Sequence, residues 1–326
     1  MNLAGYLVSQ GIALLMIMAL VIAERYYPAV PQAPAQKRRL NLEIYALGVS
    51  LGPAYALLFL ISSSHIGGIF DLGRITNEFH GASKLVGVLI AVLIWKAAKD
   101  FFFYWFHRFQ HSSFLWQQHK LHHLDEYVDT LTTGRNHWLE GALAIPARFI
   151  PLAILFKFDR TDGAVAGGFL GFLGLVDTFW SLANHANLRI GFGRFSWLLS
   201  SPQQHRIHHS RLPQHQNKNF AVLFPIWDMI FGTYYHPKQG EYPPSGVEGE
   251  NDVNSFRDAA LLPFKEWTKS WQRAWAGWKL PATGVPFAGI ENTSSAADTG
   301  ANSSGSACCP PFRSTPPDWK GRSLGM

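Results

Sequence analysis

Met1 to Ala23 contains no charged residue, and neither does Ile44 to Ser64. Each run is long enough to cross the ~30 Å hydrocarbon core of a bilayer as a helix. No other feature narrows the fold as far, because in lipid a backbone must satisfy its own hydrogen bonds. A signal peptide would carry a basic start and a small-residue cleavage site. The first run has neither and ends at Glu24-Arg25-Tyr26-Tyr27, so it reads as a retained anchor. Lys37, Arg38 and Arg39 lie between the two runs, the bias that keeps a short loop in the cytoplasm. Composition agrees: only 15% of the 326 residues are charged, against about 25% in a soluble domain.

The expected architecture is all-α, an integral membrane helical bundle of about four to five membrane segments with a cytoplasmic, histidine-rich helical cap. Residues 64–84 fall on the far side, and an apolar helix from Leu85 to His111, interrupted by Lys96, Lys99 and Asp100, returns the chain. Leu143–Phe156 and Gly163–Leu182 form a hairpin, weakened as spans by Pro146, Arg148, Pro151 and several glycines. Residues 1–84 are thus anchor helices, and 85–240 carry the chemistry. Residues 241–290 form an amphipathic surface segment, with Phe256, Leu261, Phe264, Trp267, Trp271 and Trp275 at roughly helical spacing in Asn254–Leu280. Residues 291–326, rich in Ser, Gly, Pro and Asn, read as a disordered tail.

Ten histidines lie between His107 and His209, and this topology puts all of them on one side of the membrane. His107 and His111 are i and i+4, so both rings leave one helix face. His119, His122 and His123 form an H-x-x-H-H packet, and His205, His208 and His209 repeat its spacing. On a helix each packet can present three rings to one point. Imidazole is the commonest biological metal ligand. Eight or more imidazoles are too many for one ion and about right for two. The two cysteines, Cys308 and Cys309, are adjacent in the tail, so no thiolate is available to these packets. Nitrogen-rich, carboxylate-poor ligation suits two iron ions, with zinc a chemically admissible occupant. Beside a bilayer, such a pair suggests activation of O2 for attack on a lipid C–H bond. Asp100, Tyr104, His107 and His111 share one stripe, so Asp100 can accept from an imidazole N–H. A pair with Lys96 is its plainer role. His185, in Asn184-His185-Ala186-Asn187, adds an imidazole at the returning end of the hairpin. His65, His80 and His236 read as ordinary interface residues.

These motifs resemble the membrane-bound fatty acid hydroxylase superfamily, which includes sterol desaturases and alkylglycerol monooxygenase. From Asp100, "DFFFYWFHRFQH" is similar to the family's D-x-x-x-Y-W-x-H-R-x-x-H, and both H-x-x-H-H packets match its boxes. "RNHWLE" resembles R-x-H-P-L-E with Trp138 in place of proline, and "NFAVLFPIWDMIFGTYY" resembles a closing element with Ala221 where glycine is common. The resemblance covers roughly Leu85 to Tyr235 and implies a di-metal, usually di-iron, oxygenase of lipids. It implies His107, His111, His119, His122, His123, His205, His208 and His209 as ligands, joined by His185, with His137 and Asn187 as further ligand or supporting candidates. The last motifs lean toward the sterol desaturase and alkylglycerol branch. Hydroxylation, desaturation and ether cleavage all remain open on these boxes.

The chain has no nucleotide fingerprint and no haem or ferredoxin motif, so electrons come from a separate donor, cytochrome b5-like or a ferredoxin with its reductase. No basic motif interleaved with aromatics points to nucleic acid. Two other classes compete. A metal-dependent membrane hydrolase of lipids would need a carboxylate base, for which Glu126 and Glu140 are the candidates. A histidine-rich metal carrier would need ionisable residues along its path, and the first two spans have none. Reporters fused after Lys37 and after Ser210 are expected to report the same, cytoplasmic side. Opposite locations would separate the basic loop from the histidines and undo the topology.

Overall fold

The computed structural model describes residues 3–277 apart from 73, 75–77 and 158–162. The expected tail, with Cys308 and Cys309, lies outside these, as do the last three residues expected of the amphipathic helix. All regular elements among the described residues are helical, and the β-bridges are isolated. Helix α1 (Leu3–Tyr26) and helix α2 (Ala35–Ser63) are apolar nearly all round. Their Leu7, Leu15, Met18, Leu57, Leu60 and Ile61 are exposed on the protein's own surface. Contiguous apolar surface of this kind is covered in lipid and costly in water. Among the described residues three helices are long and apolar enough to cross a membrane: Ala4–Tyr26, Ala35–Ser63 and Trp138–Leu155.

The other long elements show why the remaining spans are less plain. Helix α3 (Lys84–Gln110) is continuous, but Lys96, Lys99 and Asp100 interrupt its apolar sequence. Short helix α4 (Trp116–His123) follows, then a 3-10 turn at Thr130–Gly134 capped by Asp129. Helix α5 (Trp138–Ala144) runs through a π turn at Ile145–Phe149 into α6 (Ile150–Leu155). Pro146 and Pro151 lack the N–H that an α-helical ladder needs, and a π turn is one way to absorb the break. Behind α6, Gly68 has φ +64, and a Cβ there would meet the Phe156 carbonyl at 2.5 Å. That close approach lets Phe70 accept from Lys157 N at 2.8 Å. Helix α7 (Gly163–His185) packs along α1. Helices α8 (Pro202–His208), α9 (Ile226–Ile230) and α10 (Phe256–Gly277) complete the fold.

Helix α2 begins earlier than the uncharged run, so Lys37, Arg38 and Arg39 sit in its first turns rather than in a loop. Two of them turn inward: Lys37 meets Asp252 at 2.9 Å and Arg38 approaches Asp129 at 3.5 Å. They join a buried polar layer that ties the spans to the elements above. Glu24, fully buried at the end of α1, accepts from Thr130 N (2.8 Å), Thr130 Oγ1 (2.7 Å) and Asn187 N (2.8 Å). Arg135, also fully buried, donates to Leu121 O (2.9 Å) and Asn41 Oδ1 (2.7 Å) and pairs with Asp252. The "RNH" motif thus supplies a brace that crosses four segments.

Removing one member of a buried ion pair leaves the other charge unpaired, at a cost of about 3–5 kcal/mol. Arg135→Met is therefore expected to lower the melting temperature in detergent sharply. Arg39→Ala, which breaks only an exposed pair with Glu43, should leave it nearly unchanged. Equal stability of the two variants would show that the layer does not hold the cap.

Candidate metal centre

An α-helix turns 100° per residue, so rings at i and i+4 lie 40° apart while i+3 and i+4 lie 100° apart. This arithmetic decides what an H-x-x-H-H packet does. The structure brings His107, His111, His119, His123 and His208 into one group. A second group holds His122, His185, His205 and His209, and within each group the ligand atoms lie within 4.8 Å of one another. Neither packet sends three rings to one point, as its spacing alone suggested. The first gives its i, i+4 pair (His119 and His123) to the first group and His122 to the second. The second packet does the reverse, giving His205 and His209 to the second group and His208 to the first. The groups adjoin, with His123 stacked on His209 at 4.5 Å between ring centroids.

Nitrogen chemistry tests whether such groups fit metal ions. In the second group Nε2 of His185 lies 3.1 Å from that of His122 and 2.9 Å from that of His205, and His205 and His209 are 3.2 Å apart. Nitrogens bound at 2.0–2.1 Å to a tetrahedral ion lie roughly 3.4 Å apart. In the first group Nε2 of His111, His119, His123 and His208 is buried without a hydrogen-bond partner, an arrangement that buried polar atoms rarely tolerate. Carbonyl oxygens fix the outer nitrogens: Nδ1–H of His107 donates to Phe220 O, of His208 to Lys218 O and of His185 to Ser181 O, each at 2.8 Å. Their Nε2 lone pairs therefore face inward. Burial, reinforced by neighbouring imidazoles, holds His122, His123, His205 and His209 well below the usual histidine pKa and His208 at about 3. That favours the neutral form of these five rings, which ligation requires. The residues present fit two nitrogen-bound metal ions.

Two carboxylates set this geometry by holding backbone, not imidazole. Asp100 accepts from Val222 N (3.2 Å), Leu223 N (3.0 Å) and Phe224 N (2.8 Å), so it is neither an imidazole acceptor nor the partner of Lys96. Lys96 pairs instead with Asp177. Asp228, which sequence reasoning did not single out, accepts from Phe220 N (2.8 Å) and Ala221 N (2.9 Å) and from the Thr233 hydroxyl (2.7 Å). Gly232, at φ +75, makes the turn that returns Thr233 to it. The signal was present in "WDMIFGTYY", whose spacing closes this loop. Between them the two aspartates fix the 220–224 segment, whose Phe220 carbonyl orients His107.

Three other expectations are corrected. His137 is not among the converging rings: its Nδ1 caps α5 by accepting from Leu139 N (3.2 Å) and its Nε2 bonds Ala260 O (3.0 Å). Asn187 bonds both N and O of Val30 and the carboxylate of Glu24, a structural role. Glu126 is exposed and is not among the residues of either group. Glu140 stands 3.5 Å from Nδ1 of His119, behind the ring rather than on its Nε2 side. A cavity of about 550 Å³ reaches the first group past His111, Trp116, His123, His208 and Asn217.

Residues 91–233 match the family model described as fatty acid hydroxylase. An ornithine lipid hydroxylase of Rhizobium tropici is 32% identical over 46% of this chain and 44% of its own length. Human alkylglycerol monooxygenase is 33% identical over 53% of this chain and 36% of its own, and a very-long-chain aldehyde decarbonylase of Arabidopsis thaliana is 28% identical over 52% and 27%. The chain thus spans less than half the length of these relatives. No solved structure matches this one.

The lowered histidine pKa values carry a pH signature that needs no metal. Below about 6.5, the ordinary histidine value, the unfolded chain takes up protons that the folded cap refuses. Folding stability is complete above that pH and falls as pH drops through it. With metal chelated, melting temperatures measured from pH 8 to pH 5 should decline together with this step. A flat profile would mean that the rings are solvated.

Proposed function

We propose that this chain, a member of the fatty acid hydroxylase superfamily, is an O2-dependent membrane oxidoreductase that hydroxylates or desaturates a C–H bond of a lipid. The two groups of inward-facing imidazoles, five and four in number, carry the reading. His107, His111, His119, His123 and His208 would hold one ion, and His122, His185, His205 and His209 the other. Nitrogen ligation with few carboxylates favours iron, with zinc an alternative occupant. When bound, two such ions supply the electrons and Lewis acidity for activating O2 at the lipid. The chain's own residues hold the rings neutral and aimed, and bury them so that water has limited access to the oxidising site. Electrons are supplied by a separate protein, a cytochrome b5-like donor or a ferredoxin with its reductase.

Membrane placement follows the same reading. Besides the three plain spans, α3 and α7 dip into the bilayer, which makes five segments, the upper end of the expected four to five, with the histidines on the cytoplasmic side. Residues 85–240 are the catalytic domain, and of the segment 241–290 the described part, 241–277, lies along its surface. Trp271 and Trp275 of α10 are both exposed, as befits an interfacial helix. Support from relatives concerns lipid oxidation broadly: their names include a lipid hydroxylase and an alkylglycerol monooxygenase.

Metal analysis of purified protein and lipid analysis of expressing cells, each under air and under nitrogen, test the proposal. Wild type is expected to hold close to two ions and to form oxidised lipid only in air. His208→Ala should deplete one ion and His122→Ala the other, and each should abolish product while the protein still inserts. Hydrolysed rather than oxidised lipid, formed equally under nitrogen, would replace the oxygenase by a hydrolase. Full activity in either variant would remove the two-ion site.

A further inference from the structure

A second cavity, of about 110 Å³, is lined by Lys96, Lys99, Asp100 and Phe103 of α3, by Arg148 of the π turn, and by Asp177, Trp180 and Ser181 of α7. Its lining carries three cationic side chains against the carboxylates of Asp100 and Asp177, and Glu140 also acts on Arg148. Lys96 and Lys99 share one carboxylate, that of Asp177. The oxygens of Asp100 are taken by three backbone N–H groups, and Glu140 is turned to His119. The Arg148 guanidinium lies over the faces of Phe103 (4.4 Å) and Phe149 (5.3 Å), with no carboxylate in contact among the described residues. On the same lining, Nε1 of Trp180 is a buried donor without an acceptor. Donors thus outnumber acceptors, and an arginine placed within an apolar helix marks a functional position. The π turn that presents it is a feature enriched at functional sites.

The cavity shares its walls with the histidine groups. Phe103 packs between the two, 5.3 Å from the His107 ring and beneath Arg148. Ser181, on another wall, offers the carbonyl that orients His185. At roughly 30 Å³ per water, the volume admits a small oxyanion and little else.

We propose that this cavity seats the anionic polar group of the substrate, a carboxylate or a phosphate, held by Arg148 and the Trp180 N–H against the Lys96–Asp177–Lys99 cluster. This rests on the lipid-oxidising reading for the word substrate, but the site itself needs neither metal nor O2. The ligand class is an anionic single-chain lipid, and an uncharged lipid of equal length lacks the group that the cavity is built to take.

Binding to the purified full chain in neutral detergent tests it, read by native mass spectrometry. The probes are a fatty acid, a monoacylglycerol phosphate and an uncharged monoacylglycerol, all of one chain length. One charge-assisted hydrogen bond to a half-buried guanidinium is expected to favour an anionic probe by about 10-fold or more. Whichever anionic probe binds more tightly identifies carboxylate or phosphate as the source. Arg148→Gln should remove that preference and leave the uncharged lipid's affinity unchanged, with Arg148→Lys keeping part of it. Should Arg148→Gln fail to insert, Trp180→Phe, which keeps a ring and loses the N–H, is expected to reduce the preference several-fold. Equal binding of charged and uncharged probes by wild type, or a preference unchanged in the variants that insert, overturns the proposal. Loss of lipid oxidation in cells with the preference intact would instead strike the oxygenase reading.

Discussion

Nine imidazoles brought together with their lone pairs facing one another repel unless something positive lies between them. Everything else in the upper part of this protein serves that unfavourable arrangement. Burial denies the rings protons, and carbonyls of Phe220, Lys218 and Ser181 take the outer N–H of three of them. The remaining order comes from helices too short to hold themselves. Isolated helices under about 12 residues are marginal in water, yet α4 has eight residues and α8 seven. Their stability must come from tertiary contacts: the brace at Arg135, the Ser201–Gln204 capping box at the start of α8, and α10 lying across α4.

The division of each packet between two groups gives the repeated spacing a physical purpose. A packet whose three rings all met one ion would leave the two ions independent. With pair and single exchanged between packets, each short helix contributes to both groups. A displacement of α4 or α8 then disturbs both, so the two sites share one mechanical support. The pattern also explains why His107 and His111 are needed on a third helix. They bring the first group to five rings, while His185 from α7 completes the second.

Much of this was legible before any coordinates. The uncharged runs announced α1 and α2, and all nine histidines singled out as ligands fall in the two groups. Two kinds of feature were not legible, for different reasons. Which rings share a group depends on how two helices face one another, and spacing within a helix carries no such information. The work of Asp100, His137 and Asn187 depends on backbone partners far away in sequence, over a hundred residues in each case. Polar residues near a histidine invite a reading as its partner. Here they bond backbone of neighbouring segments, such as 222–224 and Val30, because a buried main-chain polar group needs a partner. Arg148 was read as a blemish in a span, when its place on the cavity wall over Phe103, with no carboxylate in direct contact among the described residues, is what distinguishes it.

Helix α3 places these parts on one axis. It carries Lys96 and Lys99 at the level of the small cavity, Asp100 and Tyr104 beneath the 220–224 segment, and His107 and His111 at the rings. At 1.5 Å per residue, Lys99 and His107 are separated by about 12 Å along that axis. On the proposed reading, a lipid anchored by its charged end at the lower level reaches the rings after a fixed length of chain. The carbon that reacts is then selected by the rise of one rigid helix, whereas the histidine groups determine only that a C–H bond can be attacked. This separates two properties that the motifs alone merge. Boxes common to relatives named for different lipids can keep one oxidising centre, while residues a few turns away, such as Arg148 and Trp180, choose the lipid and its register.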